Sequence, residues 1–420
     1  MAFCVRWKTA KRYRKAGSRV RAQSLGNARR HSPSRCIAKC WKKPQVRLVV
    51  DAVKATEVAI NLLWCVPGKV GGSEQYLTRQ LAGLCGHSEF ALHAYVPQGF
   101  IAAHGELADV VHMNEMSSTA HNRAARIMFE NTWLNARTKS AQLVHHGGGT
   151  LPLRGNNNTL LTVHDVQYLT YPEYFSSVRL RYLQAMMPRS VKRARAIAVP
   201  STYVRGVLME QFSLPGEKIH VVRHGVEALV RSEENIARVR SKYGLDNVEY
   251  FIYPAMTHPH KNHAFLVNLL AGPWKNRSEH LVFIGSAGRA HEELLALVAQ
   301  LGLSHRVHIV GRVEGSERDA FVAGARALLF PSQYEGFGAP LIEAMSLGVP
   351  VVCANTASLP EVAGDAAVVL PLTLDAWSDV PNMIDNTSAV LVQRGHERVQ
   401  YFSLAESGND LATTYESMLK

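Results

Sequence analysis

Two glutamates, Glu335 and Glu343, flank a glycine-rich bend in the stretch FPSQYEGFGAPLIEAMSLGVPVV, residues 330–352. Carboxylates accept hydrogen bonds from vicinal hydroxyls, as the acidic residue that holds the ribose in dinucleotide folds does. Between them, Gly336 and Gly338 permit close backbone approach. Pro340 opens a helix marked by Ile342, Ala344 and Leu347, and Gly348 closes it. The free amides at that helix start, reinforced by its dipole, form a seat for phosphate oxygens. A carboxylate beside a phosphate is repulsive unless it binds something else. The grouping therefore reads as one glutamate for a sugar and one for a ribose, with a diphosphate between them. In the plainer reading Glu335 is a loop carboxylate and Glu343 a capping or surface residue.

Further groups with possible chemistry are scattered along the chain. His164 and Asp165, in VHDVQYLTYPEYF, stand at a strand end, where clefts of α/β sheets form. Gly71 and Gly72, in GKVGGSEQYL, precede a helix, but the Gly-Lys-Ser/Thr order of a P-loop is missing. His258, His260 and His263 do not have the spacing of a zinc helix and no carboxylate accompanies them, so no metal is expected. Cys65, Cys85 and Cys353 stand alone in apolar surroundings and read as reduced core thiols.

An α/β fold of two Rossmann-like domains is expected to position these groups. At 420 residues and 47% hydrophobic the chain reads as globular and exceeds what one core serves. From residue 47 short β-branched runs alternate with amphipathic helical stretches, as in stacked βαβ units with parallel sheets. VRLVV and EVAINLLWCV read as strands, and GGSEQYLTRQLAGLCG as a helix with Leu77, Leu81 and Leu84 at core spacing. The alternation pauses in a charged stretch after Glu227 and restarts at EYFIYPA. The expected boundaries are a basic, disordered extension over 1–45, a first domain over 46–228, a linker over 229–247 and a second domain over 248–400. A final helix over 401–420, with no strand after it, is expected to pack back on the first domain.

The net charge of +13 resembles a nucleic-acid signature until it is located. Residues 1–50 hold 15 Lys and Arg and no acid, while the rest carries 32 basic against 34 acidic residues. The body is electrically ordinary, so no nucleic-acid partner is expected. No stretch offers a signal-peptide core or a membrane span. A cytoplasmic protein is expected, with peripheral contact at the inner membrane face open through the basic leader.

The run FPSQYEGFGAPLIEAMSLGVPVVCANTASLPEVAGDAAVVLP, residues 330–371, closely resembles the donor-binding signature of the retaining glycosyltransferases of family 4. The resemblance implies the GT-B fold: two Rossmann-like domains facing across a cleft, an acceptor domain first and a nucleotide-sugar domain second, with no metal or other cofactor. It implies Glu335 on the donor sugar, Glu343 on the ribose, and Gly336, Phe337, Gly338 and Ala339 beside the diphosphate. PAMTHPHKNHAFL resembles the lysine loop, which implies Lys261 on the diphosphate as a catalytic cation. Gly71 and Gly72 resemble the glycine loop that approaches the diphosphate from the first domain. His164 is implied beside the transferred sugar and Asp165 near the acceptor loop, while Ser201 and Arg205 read as structural. Many family members carry an arginine five or six residues before the lysine, where this chain has Ala255 and Met256. His258, His260 or Arg289 would assist instead, or Lys261 and the amides act alone.

The implied reaction is front-face transfer of a hexose, with mannose the favoured sugar, to a saccharide or lipid-linked acceptor. Rivals are a nucleotide-sugar epimerase or phosphorylase on the same fold, and a non-catalytic homologue.

Overall fold

The computed structural model describes residues 55–68, 70–116 and 123–420. The basic extension over 1–45 and the expected strand VRLVV lie outside the described residues. Seven parallel strands form the first sheet, in the order β3-β2-β1-β4-β5-β6-β7. They are β1 (Thr56–Asn61), β2 (Phe90–Val96), β3 (His112–Glu115), β4 (Leu143–His146), β5 (Thr159–Thr162), β6 (Ala196–Val199) and β7 (Ile219–Val221). Six more form a second parallel sheet, in the order β10-β9-β8-β11-β12-β13. These are β8 (Tyr250–Pro254), β9 (His280–Ile284), β10 (Val307–Gly311), β11 (Ala327–Phe330), β12 (Val351–Ala354) and β13 (Val368–Leu370).

The central strands read as unbroken apolar runs, AIAV in β6, ALLF in β11 and VVCA in β12, and every residue of the three is buried. Helices cover both faces of a doubly wound sheet, so neither face can be polar. Strand order reverses between β1 and β4 in one sheet and between β8 and β11 in the other. The crevice at such a reversal is where ligands seat in open α/β sheets.

Three helices shape the cleft or fasten the two sheets together, α1 (Gly72–Gly83), α3 (Ala339–Ser346) and α4 (Leu404–Leu419), and a further helix, α2 (Glu233–Lys242), packs within the second domain. The stretch over 229–247, expected as a linker, contains α2. Ser232 caps it at Asn235, and Ile236 and Val239 are buried in the core of the second domain. Only those two buried side chains mark it among charged neighbours, which is why it reads as a linker in the sequence.

Helix α4 leaves the second domain and packs on the first, where Leu411, Tyr415 and Met418 join Leu77 and Leu81 of α1 in one core. The helices touch backbone to backbone: a Cβ on Gly408 would lie 2.1 Å from the Gly83 carbonyl oxygen. Beneath them, the His145 ring bridges the Tyr415 hydroxyl at 2.8 Å and the Thr162 hydroxyl at 2.7 Å. Arg223 braces the crossing, its Nε 2.6 Å from Asp410 and its Nη2 3.0 Å from Glu406. Of the three thiols read as core, Cys65 and Cys353 are buried but Cys85 is exposed, because it follows the last turn of α1 rather than facing the sheet.

Candidate active site

A cleft of about 690 Å³ opens between the two sheets, and each catalytic, donor-binding and acceptor-side residue expected from the sequence lines it. Loops at the carboxyl ends of the strands build it: Gly71 and Gly72 after β1, His164 and Asp165 after β5, Lys261 after β8, and Glu335 to Ala339 after β11.

The β11 loop depends on its glycines. Gly338 caps α3 with φ of 103°, a conformation L side chains rarely adopt. A Cβ on Gly336 would lie 2.2 Å from the His164 carbonyl oxygen, so the domains meet here backbone to backbone. Ser201 Oγ closes the same contact by donating to the Gly336 carbonyl at 2.7 Å and also caps its own helix at Val204. Ser201 is thus a strut between domains, and Arg205 donates to the Gly216 carbonyl at 3.0 Å.

Both glutamates are engaged with cations. Lys261 Nζ lies 2.5 Å from Glu335 Oε1, both side chains mostly buried. Glu343, 8% exposed, accepts from Arg79 Nη2 at 3.0 Å, and Arg318 stands 3.8 Å from its other oxygen. Burial works to raise the Glu343 carboxyl, but the Arg318 and Arg79 guanidiniums outweigh it and hold the group below the usual carboxylate range. Neither glutamate is the free loop or surface residue of the plainer reading.

His164 Nε2 donates to the Gly147 carbonyl at 2.8 Å, which fixes the tautomer. Trp64 and Tyr76 hold the ring at centroid distances of 5.6 and 5.3 Å, and burial pushes its pKa down. Asp165 accepts from the Gln167 amide at 3.0 Å and so shapes the turn at the mouth of the cleft.

The groups expected to stand in for the missing arginine divide. His258 lines the cleft, but burial and the Lys261 charge depress its pKa, so the ring is neutral at neutral pH. His260 is pushed down to about 3, chiefly by burial. Arg289 donates to the Tyr174 carbonyl at 2.8 Å and is not among the cleft's lining residues. The guanidiniums that do line it are Arg312 and Arg318, from the second domain. Sequence reasoning missed both, and Arg79 as well. Arg312 sits directly after β10, at the sheet edge where ligands gather, which is the one signal that pointed to it. Arg79 lies within a helix whose spacing marks only a core face.

Among the described residues no group of three or more His, Cys, Asp or Glu is placed to hold a metal ion. His263 instead packs between Tyr253 and Phe283.

A family model described as Glycosyltransferase Family 4 matches residues 70–228, and one described as Glycosyl transferases group 1 matches residues 235–398. The chain is 31% identical over 254 residues to the O-antigen chain mannosyltransferase B of Escherichia coli, covering 60% of this chain and 64% of that protein. It is 28% identical over 243 residues to the O-antigen chain mannosyltransferase RfbU of Salmonella typhimurium, covering 57% and 63% respectively. The chain thus spans just under two thirds of the length of these curated relatives. The crystal structure of Anabaena Alr3699/HepE in complex with UDP and glucose is similar in fold, with a TM-score of 0.68 at 18% identity over 86% of this chain and 100% of that one. The two family models fall one on each sheet and together take in most of the chain, which belongs to the family 4 glycosyltransferases of GT-B architecture.

Proposed function

We propose that this protein transfers a hexose, mannose from GDP-mannose in the first instance, from a nucleotide diphosphate sugar to a saccharide or lipid-linked acceptor, with retention at the anomeric carbon. The observation that carries the reading is the convergence of Lys261, Glu335, Glu343 and the amino end of α3 on one cleft between two nucleotide-type sheets. The names of the relatives, both O-antigen chain mannosyltransferases, support the choice of sugar.

In this reading the diphosphate takes the α3 amides and Lys261, which exchanges Glu335 for phosphate oxygens as the donor enters. Glu335 is then released to the sugar hydroxyls, and Glu343 serves the ribose. Bond cleavage builds charge on the leaving diphosphate, and a fixed cation in a closed site stabilises it. No metal is required, because Lys261 and the helix amides supply that compensation. The acceptor attacks from the same face, its proton passing to the departing phosphate, while His164 and Asp165 border the reacting sugar and the acceptor. Contact at the membrane face and cytoplasmic residence belong to the same proposal. Among the described residues no helix is long and apolar enough to cross a membrane.

The test is incubation of the purified chain with GDP-mannose, UDP-glucose and related donors, reading nucleotide release and donor-induced thermal stabilisation. Release of nucleotide only with an acceptor present supports transfer. Free sugar without one points to the epimerase reading, and no stabilisation by any donor removes the proposal.

A further inference from the structure

The geometry points to His224 as a further donor-binding residue, its Nε2 accepting a hydrogen bond from a ribose hydroxyl beside Glu343. The inference rests on the reading of the cleft as a nucleotide-sugar site. His224 follows β7, where the chain turns toward the second domain, and lines the cleft although only 4% exposed.

Its tautomer is set by a neighbour. Nδ1 lies 3.0 Å from the Gly225 carbonyl oxygen, which can only accept, so Nδ1 carries the proton. In the neutral ring Nε2 is then an acceptor, and it has no hydrogen-bond partner among the described residues. Burial, with the Arg79 charge added, pushes the ring down to about 4, so this state persists at neutral pH. The ring is clamped, stacked on Phe337 at 5.1 Å and 13° and set against Tyr76 at 5.2 Å. Rotating away to find another partner would break that stack.

A buried acceptor without a partner is uncommon in native proteins and asks for an explanation. The neighbourhood supplies one. A ribose offers two vicinal hydroxyl donors, and Glu343 already has one oxygen on Arg79. Glu343 is near enough for its charge to act on the His224 ring. Both residues line the cleft, and a second acceptor there completes what a diol needs. The competing explanation is internal: Arg79 Nη1 also has no hydrogen-bond partner among the described residues, and the Arg79 charge acts on the same ring.

The experiment is calorimetric titration of GDP, UDP and ADP, with their 2′-deoxy and 3′-deoxy forms, into the full wild-type chain and into His224→Phe and His224→Gln. Phe keeps the stack and removes the acceptor, whereas Gln restores an acceptor at similar reach. The expected result is a roughly tenfold weaker affinity for the preferred ribonucleotide in His224→Phe, and a loss within about threefold in His224→Gln. For one deoxy form, wild type and His224→Phe should bind alike. Equal affinity of wild type and His224→Phe for the ribonucleotide overturns the inference. So does an equal loss across ribo and both deoxy forms, which would assign His224 to packing or to Arg79. Should His224→Phe not fold, His224→Met carries the same comparison. Wild-type protein that binds none of the nucleotides removes the underlying reading and this inference with it. Wild-type binding with an unmoved His224→Phe removes the inference alone.

Discussion

Arg79 of the first domain reaches across the cleft to Glu343 of the second, Nη2 to Oε1 at 3.0 Å, with both side chains about nine-tenths buried. The glutamate proposed for the ribose is therefore also a fastening between domains. A carboxylate has about four lone-pair sites, so one oxygen can keep the arginine while the other receives hydroxyls. Glu343→Ala is expected to weaken nucleotide binding about tenfold and to leave Arg79 as an uncompensated buried charge. It should therefore also lower stability by about 3 kcal/mol. Nucleotide titration and urea unfolding read the two effects separately, and wild-type affinity would remove Glu343 from the ribose.

Lys261→Ala should lower kcat by about 10²–10³-fold, the size expected when one charge-stabilising donor is lost from a transition state. The affinity for nucleotide sugar should change less than tenfold. Because Lys261 and Glu335 are partners, Glu335→Ala should cost turnover at least as much. Equal losses in kcat and in binding for Lys261→Ala would argue that the lysine holds the ground state only.

Gly336→Ala tests the closeness of the domains. The new Cβ would meet the backbone oxygen of His164 at 2.2 Å, and backbone cannot swing aside as a side chain can. Overpacking of this kind costs about 1–3 kcal/mol. The expected outcome is a wider cleft by small-angle scattering and turnover reduced by more than tenfold. A fully active Gly336→Ala would show that the contact opens during the reaction.

Gly408→Ala acts far from the cleft. Its Cβ would strike Gly83 at 2.1 Å and lift α4 from α1. A loss of about 3 kcal/mol in denaturant unfolding is expected, with the His145 to Tyr415 bond broken at the same time.

The response to pH comes from buried histidines. His145, His146 and His263 are held down to about 3, first by burial. The unfolded chain binds these protons near pH 6.5 and the folded chain does not. Stability should therefore be full above about pH 6.5 and fall as pH drops toward 3, by up to about 1.4 kcal/mol per unit for each ring. His104 works the other way. Its bonds to Glu106 and Glu74 raise it to about 9, so its contribution is full below about pH 6.5 and is lost as pH rises through 9. Urea midpoints that are flat between pH 7 and 5 would contradict the first of these expectations.

Much of this protein is legible in one dimension because much of its chemistry is local. The apolar runs of β6, β11 and β12 commit those segments to a sheet covered on both faces. Pro340 and Gly338 fix where α3 begins, and Glu335 and Glu343 take their spacing from that one loop and helix. The charged stretch around Ile236 misleads, because two buried side chains in a polar helix give too weak a period to register. Cys85 misleads for the opposite reason: its apolar neighbours belong to a helix face that it does not share.

The chain by itself determines the two sheets, the bend with its glutamates and the lysine loop, since each arises from residues close together in sequence. Only the folded molecule decides what neutralises those glutamates. Arg79 and Glu343 are 264 residues apart, and no local pattern can encode a charge pair made when two independently wound sheets come to face each other. The same holds for His224, whose Nε2 has no hydrogen-bond partner among the described residues and whose ring is held by Gly225, Phe337 and Tyr76 from both domains.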